Sequence, residues 1–188
     1  MGYGCQVPEV PETWNPVAGT YCVDPDIGEV RMEGKPVAES FTEMVEIAFP
    51  NDANPLGTVF GGRVLQLIDV AGSIAAMRHA RRPVVTARID SVDFRAPIRV
   101  GEFIVLQAWV NFTGRTSMEV QVEVYAEAPT TGARRHCCTA LLTYVALDEA
   151  CRPTAVPPVL PQTEAERQRY EAARARRAAR LRQKEPEV

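Results

Sequence analysis

One stretch of twenty residues, and the change of rhythm after it, limits what this chain can become. From Gly61 to Ala80 a helical period puts Val64, Leu65, Leu67, Ile68, Val70, Ala71, Ile74, Ala75 and Met77 on most sides. A helix apolar nearly all round is a buried helix. Arg78, His79, Arg81 and Arg82 suit the negative end of its dipole, and Pro83 stops it. Past Pro83 the period changes to two. Val84–Phe94 alternates imperfectly, with an irregularity expected near Asp90–Asp93. Glu102–Phe112 sets Ile104, Leu106, Ala108, Val110 and Phe112 on one face. Ser117–Glu127 sets Met118, Val120, Val122 and Val124 inward, with Glu119, Gln121, Glu123 and Glu127 outward. Arg135–Leu147 is the last long strand. Hairpin-length turns at 113–115 and 129–132 make at least three of these strands antiparallel neighbours.

Ahead of the helix, Phe41–Phe49 reads as a further strand, followed by a turn-rich loop to Phe60. The order is strand, helix, then strands, which defines an α+β domain with one antiparallel sheet of five or six strands. Five strands at ~4.8 Å span roughly 24 Å, whereas a helix covers about 10–12 Å. The sheet must curl around the helix, pair with a second subunit, or both, and a dimer is expected.

The flanks differ from this body, which occupies 39–152. Residues 1–38 are rich in proline (Pro8, Pro11, Pro16, Pro25, Pro36) and read as an irregular arm, with a short strand expected around Glu29–Met32. Residues 153–162 read as a Pro-rich linker. Thr163-Glu164-Ala165-Glu166 is a capping box opening a helix, 163–184, to about Lys184. That helix carries eight Lys/Arg against three Glu, +5, so the rest of the chain carries −8. It is either an arm for phosphates or an anionic partner, or a solvated helix with Tyr170 and Leu181 as its anchors. Arg and Ala are good helix formers in any setting, which favours the second reading.

Composition excludes several classes. With 46% apolar residues in 188, the chain has material for a core, and no apolar run reaches the ~18 residues of a membrane span. A net charge of −3 argues against nucleic-acid binding. Met1–Val10 has neither a basic start nor an apolar core, so no secretory leader is read there. Five cysteines without CxxC or Cys/His spacing suggest reduced thiols in a cytoplasmic protein, with no metal and no cofactor expected.

Chemistry concentrates around Asp69, midway along the apolar helix. Its helical neighbours include Gln66, Gly72 and Ser73, a small or amide-bearing stripe. An uncompensated carboxylate in a core costs several kcal/mol. Asp69 is therefore either structural, bonded to strand backbone or to a hydroxyl such as Thr86, or it faces a cleft and serves as a base. Directly before the helix, Asn54 to Gly62 delivers a polar side chain and a double glycine. Gly61 and Gly62 either let the loop turn tightly or open the first-turn amides to an incoming anion, as a tetrahedral oxyanion requires. Asp69 lies about two turns further on, roughly 10–12 Å along the axis. Two antiparallel helices across a dimer could bring carboxylate and amides together, where one subunit alone could not.

The pattern Asn54-Pro55-x-Gly57-x-x-Phe60-Gly61-Gly62, Asp69, Val85-Thr86-x-x-x-Asp90-x-Val92-Asp93-Phe94-x-x-Pro97-Ile98-x-x-Gly101 resembles the hot-dog acyl-coenzyme A thioesterases. The group that holds the YciA-type enzymes and the brain cytosolic acyl-CoA hydrolase is the most similar. Gly114-Arg115-Thr116-Ser117-Met118-Glu119-Val120 and Tyr144-Val145-Ala146-Leu147-Asp148 match it as well. The resemblance runs from about Phe41 to Pro161 and implies a hot-dog fold and acyl-CoA hydrolysis. It implies that Asp69 is the catalytic carboxylate and that Asn54 is its polar partner across the dimer. The Gly61 and Gly62 amides become the oxyanion hole. Arg115, Thr116 and Ser117 fall near the CoA phosphates and pantetheine, with Thr86 also among the substrate-binding positions. A trimer of dimers is implied, with no membrane and no nucleic-acid partner. Arg63 departs from the pattern, since apolar or bulky residues are frequent there. Three rivals stay open, one of them a purely structural oligomer, which explains the core but not Asn54 with the double glycine. A hot-dog hydratase or dehydratase pairs its carboxylate with a histidine, but His79 and His136 read as surface positions. A non-catalytic acyl-CoA sensor would lack the carboxylate.

Overall fold

The computed structural model describes residues 32–184; the arm up to residue 31, and with it most of the strand expected at Glu29–Met32, lies outside them. The order is β1 (Lys35–Pro36), β2 (Thr42–Ile47), α1 (Gly61–Ala80), β3 (Val84–Phe94), β4 (Phe103–Thr113), β5 (Ser117–Glu127), β6 (Arg134–Ala146), β7 (Val159–Leu160) and α2 (Glu164–Lys184). Five strands form one antiparallel sheet in the order β2-β4-β5-β6-β3, and β1 and β7 make a separate two-residue parallel pair. The sheet wraps one face around α1, which is the hot-dog arrangement.

Helix α1 has the bounds its sequence suggests. Arg81 ends it in the left-handed region at φ 53°, its N–H donating to the Met77 carbonyl at 2.8 Å. The helix is not buried on every side, however. Val64, Leu67, Ile68, Ala71, Gly72, Ala75, Ala76, His79 and Ala80 form the buried stripe, at alternating steps of three and one. Val70 and Met77, on the other flank, are exposed in the protomer. The small residues in the stripe allow a close approach to Leu106, Ala108, Val120, Val122, Val124 and Leu142, each fully buried.

Four register shifts redirect side chains. Strand β3 has register shifts between Thr86 and Arg88 and between Ile89 and Ser91; the second falls at Asp90, where the irregularity is expected, and the first lies ahead of it. In β4 the register slips between Val110 and Phe112. Phe112 therefore leaves the inner face, where strict alternation put it, and packs against Tyr170 with the rings tilted at 56° and their centroids 5.0 Å apart. In β6 the extra residue is Cys137, since Val124 opposes Cys138 and Tyr125 opposes His136.

Helix α2 packs on the outer face and changes the reading of two residues. Glu119, expected in water, is 2% exposed beneath it. The Arg176 guanidinium donates to both Glu119 oxygens, at 2.6 and 3.2 Å, and Arg180 pairs with Asp90 at 3.0 Å. The expected solvated helix is thus clamped by charge-assisted bonds, with Tyr170 and Ala173 against the sheet and Arg169 over Trp109. Leu181, the other expected anchor, is exposed. The segment before α2 is extended and lies on the body. Val156 and Val159 are buried, and the Val156 amide donates to the Arg115 carbonyl at 2.9 Å.

Candidate active site

Asp69 rises from the flank of α1 toward β3, and two hydroxyls meet it. Thr86 donates to Asp69 Oδ1 at 2.6 Å. Tyr144 donates to the same oxygen at 3.2 Å and lies 3.1 Å from the Asp69 carbonyl. Thr86 and Tyr144 oppose one another in the β3–β6 register, so one rung of the sheet presents both. Tyr144 is fully buried, and its phenol is pushed above its usual range by burial and then by the Asp69 charge. It remains a proton donor at any working pH. Asp69 is half-buried and Thr86 is exposed, so the carboxylate reaches the protomer surface beside an edge strand.

The Tyr144 contact is the functional feature that sequence reading passed over. Its hydroxyl sits where a Cβ on Gly72 would fall, so only glycine at 72 admits it. A signal was present: Tyr144 occupies the inward face of β6 between Leu142 and Ala146, and a buried hydroxyl needs a partner.

A second cluster lies at the start of α1. Phe60 is the residue before the helix and supplies no side-chain cap. Its carbonyl accepts from Arg63 and Val64 at 2.9 and 3.2 Å, while Gly61 and Gly62 hold the first-turn amides that a helix leaves without internal acceptors. The Phe60 ring folds back over Gly62, 2.5 Å from where a Cβ would be, and the Phe94 ring lies over Gly61. A Cβ at Gly62 would displace the exposed Phe60 ring, whereas one at Gly61 would meet Phe94 at an ordinary 3.8 Å. The loop ahead is held by its own bonds. The Asn54 side chain accepts from the Leu56 and Thr58 amides at 2.9 and 3.3 Å and donates to the Thr58 hydroxyl at 3.0 Å. Arg63, the departure from the pattern, bridges to Asp52 at 3.2 Å and ties the loop to the helix.

The protomer does not bring these clusters together. Gly61 sits at the Phe94 end of β3 and Asp69 at the Thr86 end, eight residues apart on each element. The third group stands apart again, at the β4–β5 hairpin. Arg115 and Ser117 are half-buried there, whereas Thr116 is 6% exposed. Gly114 lies against the Ser117 hydroxyl and the Arg177 guanidinium of α2.

The histidines lie elsewhere. His79 is fully buried rather than on the surface, its Nε2 2.8 Å from the Pro157 carbonyl, and burial lowers its proton affinity. His136 pairs with Glu123 at 2.5 Å on the outer face. Among the described residues no group of acidic, His and Cys side chains could hold a metal, and no helix is long and apolar enough to cross a membrane.

A fold alone does not give a function, and comparison with known proteins supplies the class. Residues 56–133 match the Thioesterase superfamily. The uncharacterized acyl-CoA thioester hydrolase YkhA of Bacillus subtilis is 47% identical over 118 residues, 63% of this chain and 69% of that protein. A crystallised apo-hexameric acyl-CoA thioesterase is 45% identical with a TM-score of 0.78, covering 81% of this chain and 97% of that one. The acyl-CoA hydrolase of Staphylococcus aureus, solved with butyryl coenzyme A, coenzyme A and coenzyme A disulfide, is 36% identical. Its TM-score is 0.73, over 80% of this chain and 94% of that one, and alanine variants at an aspartate, an asparagine and a threonine have also been solved. The chain belongs to the acyl-CoA thioester hydrolases of the thioesterase superfamily. It is an acyl-CoA thioesterase, a thioester hydrolase of class EC 3.1.2.

Proposed function

We propose that the enzyme hydrolyses fatty acyl-CoA to a free fatty acid and CoA, with Asp69 activating the attacking water. The observation that carries this is the arrangement of Asp69, Thr86 and Tyr144. Both hydroxyls point at one carboxylate oxygen, and among the described residues nothing bonds the other. A carboxylate held on one side and open on the other can accept a proton from water while its orientation stays fixed. Spacing supports the same residues. The three positions changed to alanine in the S. aureus hydrolase are an asparagine, an aspartate 15 residues on and a threonine 17 further. Asn54, Asp69 and Thr86 repeat those identities and intervals.

The thioester oxygen rests at the Gly61 and Gly62 amides, where the helix end stabilises the charge that develops on it. These amides come from one protomer and Asp69 from the other. Strand β3 is an eleven-residue edge with exposed Ile89 and Phe94, beside Val70 and Met77 of α1, which is a surface that natural edges keep covered. Antiparallel pairing of two β3 strands about a twofold near residue 90 sets Thr86 opposite the partner's Phe94, and so sets Asp69 beside the Gly61 amide across the seam. Asn54 orients the water or thioester from its loop. Three such dimers make a hexamer, in keeping with the hexameric relative. Arg115 and Ser117, with Arg177 near them, face the phosphates of CoA, and Thr116 supports the turn through its carbonyl, which accepts from Ala146 at 3.0 Å. A hydratase is disfavoured because neither histidine approaches Asp69. We place the enzyme in the cytoplasm, where the thiols of Cys137 and Cys138 stay reduced.

The experiment is incubation of the purified protein with a panel of acyl-CoAs and a thiol reagent. Release of free CoA is expected. Binding without release would make the protein a sensor instead.

A further inference from the structure

The outer face of the sheet, away from α1, is where alternation places polar side chains. Helix α2 covers one half of that face, resting on Trp109, Phe112, Glu119 and Asp90. The other half, beside β2, breaks the rule. Thr42 and Ala48 are buried and Met44 packs on the core, so odd-numbered residues of this strand face outward. Among the odd positions from 41 to 49, Phe41, Val45, Ile47 and Phe49 are apolar and Glu43 is the one charge. Those four apolar residues are between 44% and 56% exposed. The strand register carries the patch across the sheet. Val45 opposes Val105, Val105 opposes Tyr125, and Ile47 opposes Phe103. Val105 is fully buried and gives the row an apolar floor. The rim is charged: Gln107 donates to Glu43 at 2.9 Å, and Arg134 donates to Glu127 at 2.6 Å and lies 3.8 Å from Glu43.

We propose that this patch receives the same patch of a second copy of the chain, and that the contact joins one seam dimer to the next. The inference rests on the trimer-of-dimers reading and names the surface which that assembly needs. Dimers joined only at a twofold seam stop at two, so each protomer must offer a second surface. The order β2-β4-β5-β6-β3 sets the seam strand and the patch at opposite edges of one sheet. Six protomers that alternate seam and patch contacts close into a ring of three dimers, with both contacts isologous. At ~150–200 Å² for a large side chain, four half-exposed ones present roughly 350 Å² of apolar surface. That is about half of the ~800 Å² per partner that a specific contact buries, and the charged rim supplies the remainder. Left bare beside an edge strand, such a patch is a template for aggregation, so it is kept covered.

The test is the mass of the full-length protein in solution, by sedimentation equilibrium at micromolar concentration, for the parent, Val45→Glu and Ile47→Glu. Both substitutions are at exposed positions and set like charges against each other across the patch contact; circular dichroism verifies the fold. The parent is expected at six chains. Both variants are expected at two, a threefold drop in mass, with kcat within about twofold of the parent because the seam at Asp69 is untouched. If either variant fails to fold, the other decides. A hexamer that survives in the folded variants leaves the patch to another occupant, the chain's own residues 1–31 or a different protein, and overturns this assignment alone. Variants that fall to monomers place the patch at the seam and overturn it as well. A variant of two chains that hydrolyses no acyl-CoA supports the contact and overturns the placing of the whole site at the seam. A parent no larger than a dimer overturns the trimer-of-dimers reading, and this assignment with it.

Discussion

The hydroxyl of Tyr144 occupies the space that a side chain on Gly72 would need, and from there it bonds Asp69 at both the carbonyl and the carboxylate. A residue on the last long strand thus fixes the helix at the level of its acidic side chain. Tyr144→Phe keeps the ring and removes the donor. Stability should fall by about 1 kcal/mol, a typical net hydrogen bond, and kcat about tenfold, which is the loss of one weak bond to the reacting carboxylate. Gly72→Ala forces the hydroxyl out and should cost about 1–3 kcal/mol in a packed core. Denaturant titration and steady-state kinetics of the two variants check both figures.

Thr86 makes the shorter contact to Asp69, 2.6 Å, yet lies on an exposed edge. Its loss should therefore affect catalysis more than folding. Thr86→Ala is expected to lower kcat by about ten- to a hundredfold and to leave the melting temperature nearly unchanged. Thr86→Ser, which keeps the hydroxyl, should restore most of the rate.

Much of this scaffold was legible in the residues. Apolar spacing and Pro83 marked α1 at both ends, and period-two alternation marked the inner faces of β4 and β5. Asp69 stood out because a carboxylate on an apolar helix demands an account. The rest depended on pairs far apart in the chain. Tyr144 is 75 positions from Asp69, and only the β3–β6 register reveals their meeting. The slip at Asn111 that turns Phe112 outward has no local mark, because what fixes it is a helix nearly sixty residues later. Glu119 read as solvated for the same reason, since its partner Arg176 comes from a segment beyond the body.

The ion pair between Glu119 and Arg176 joins α2 to the sheet. Arg176→Ala leaves a buried carboxylate with Arg180 alone, 3.7 Å away. Arg176 is itself about a third exposed, which reduces the effect, and the expected loss is roughly 2 kcal/mol. Chemical denaturation should register it, with kcat unaffected under conditions where the variant is folded.

His79 makes stability depend on pH. In the fold it is buried and holds a proton less readily than at its ordinary 6.5, so below that pH the unfolded chain binds more protons than the native one. Its contribution is complete above pH 6.5 and is lost as pH falls from there toward the lowered native value. Denaturant midpoints measured between pH 7.5 and pH 5 should decline, and His79→Gln, which does not titrate, should flatten the decline.

Asp69 bears the whole scheme, and hydrolysis by Asp69→Ala and Asp69→Asn measures its part most directly. With folding and oligomeric state verified, both variants should bind acyl-CoA yet release CoA at least about a thousandfold more slowly than the parent, the scale of losing a positioned base. Release at the parental rate by a folded Asp69→Ala protein would contradict the account.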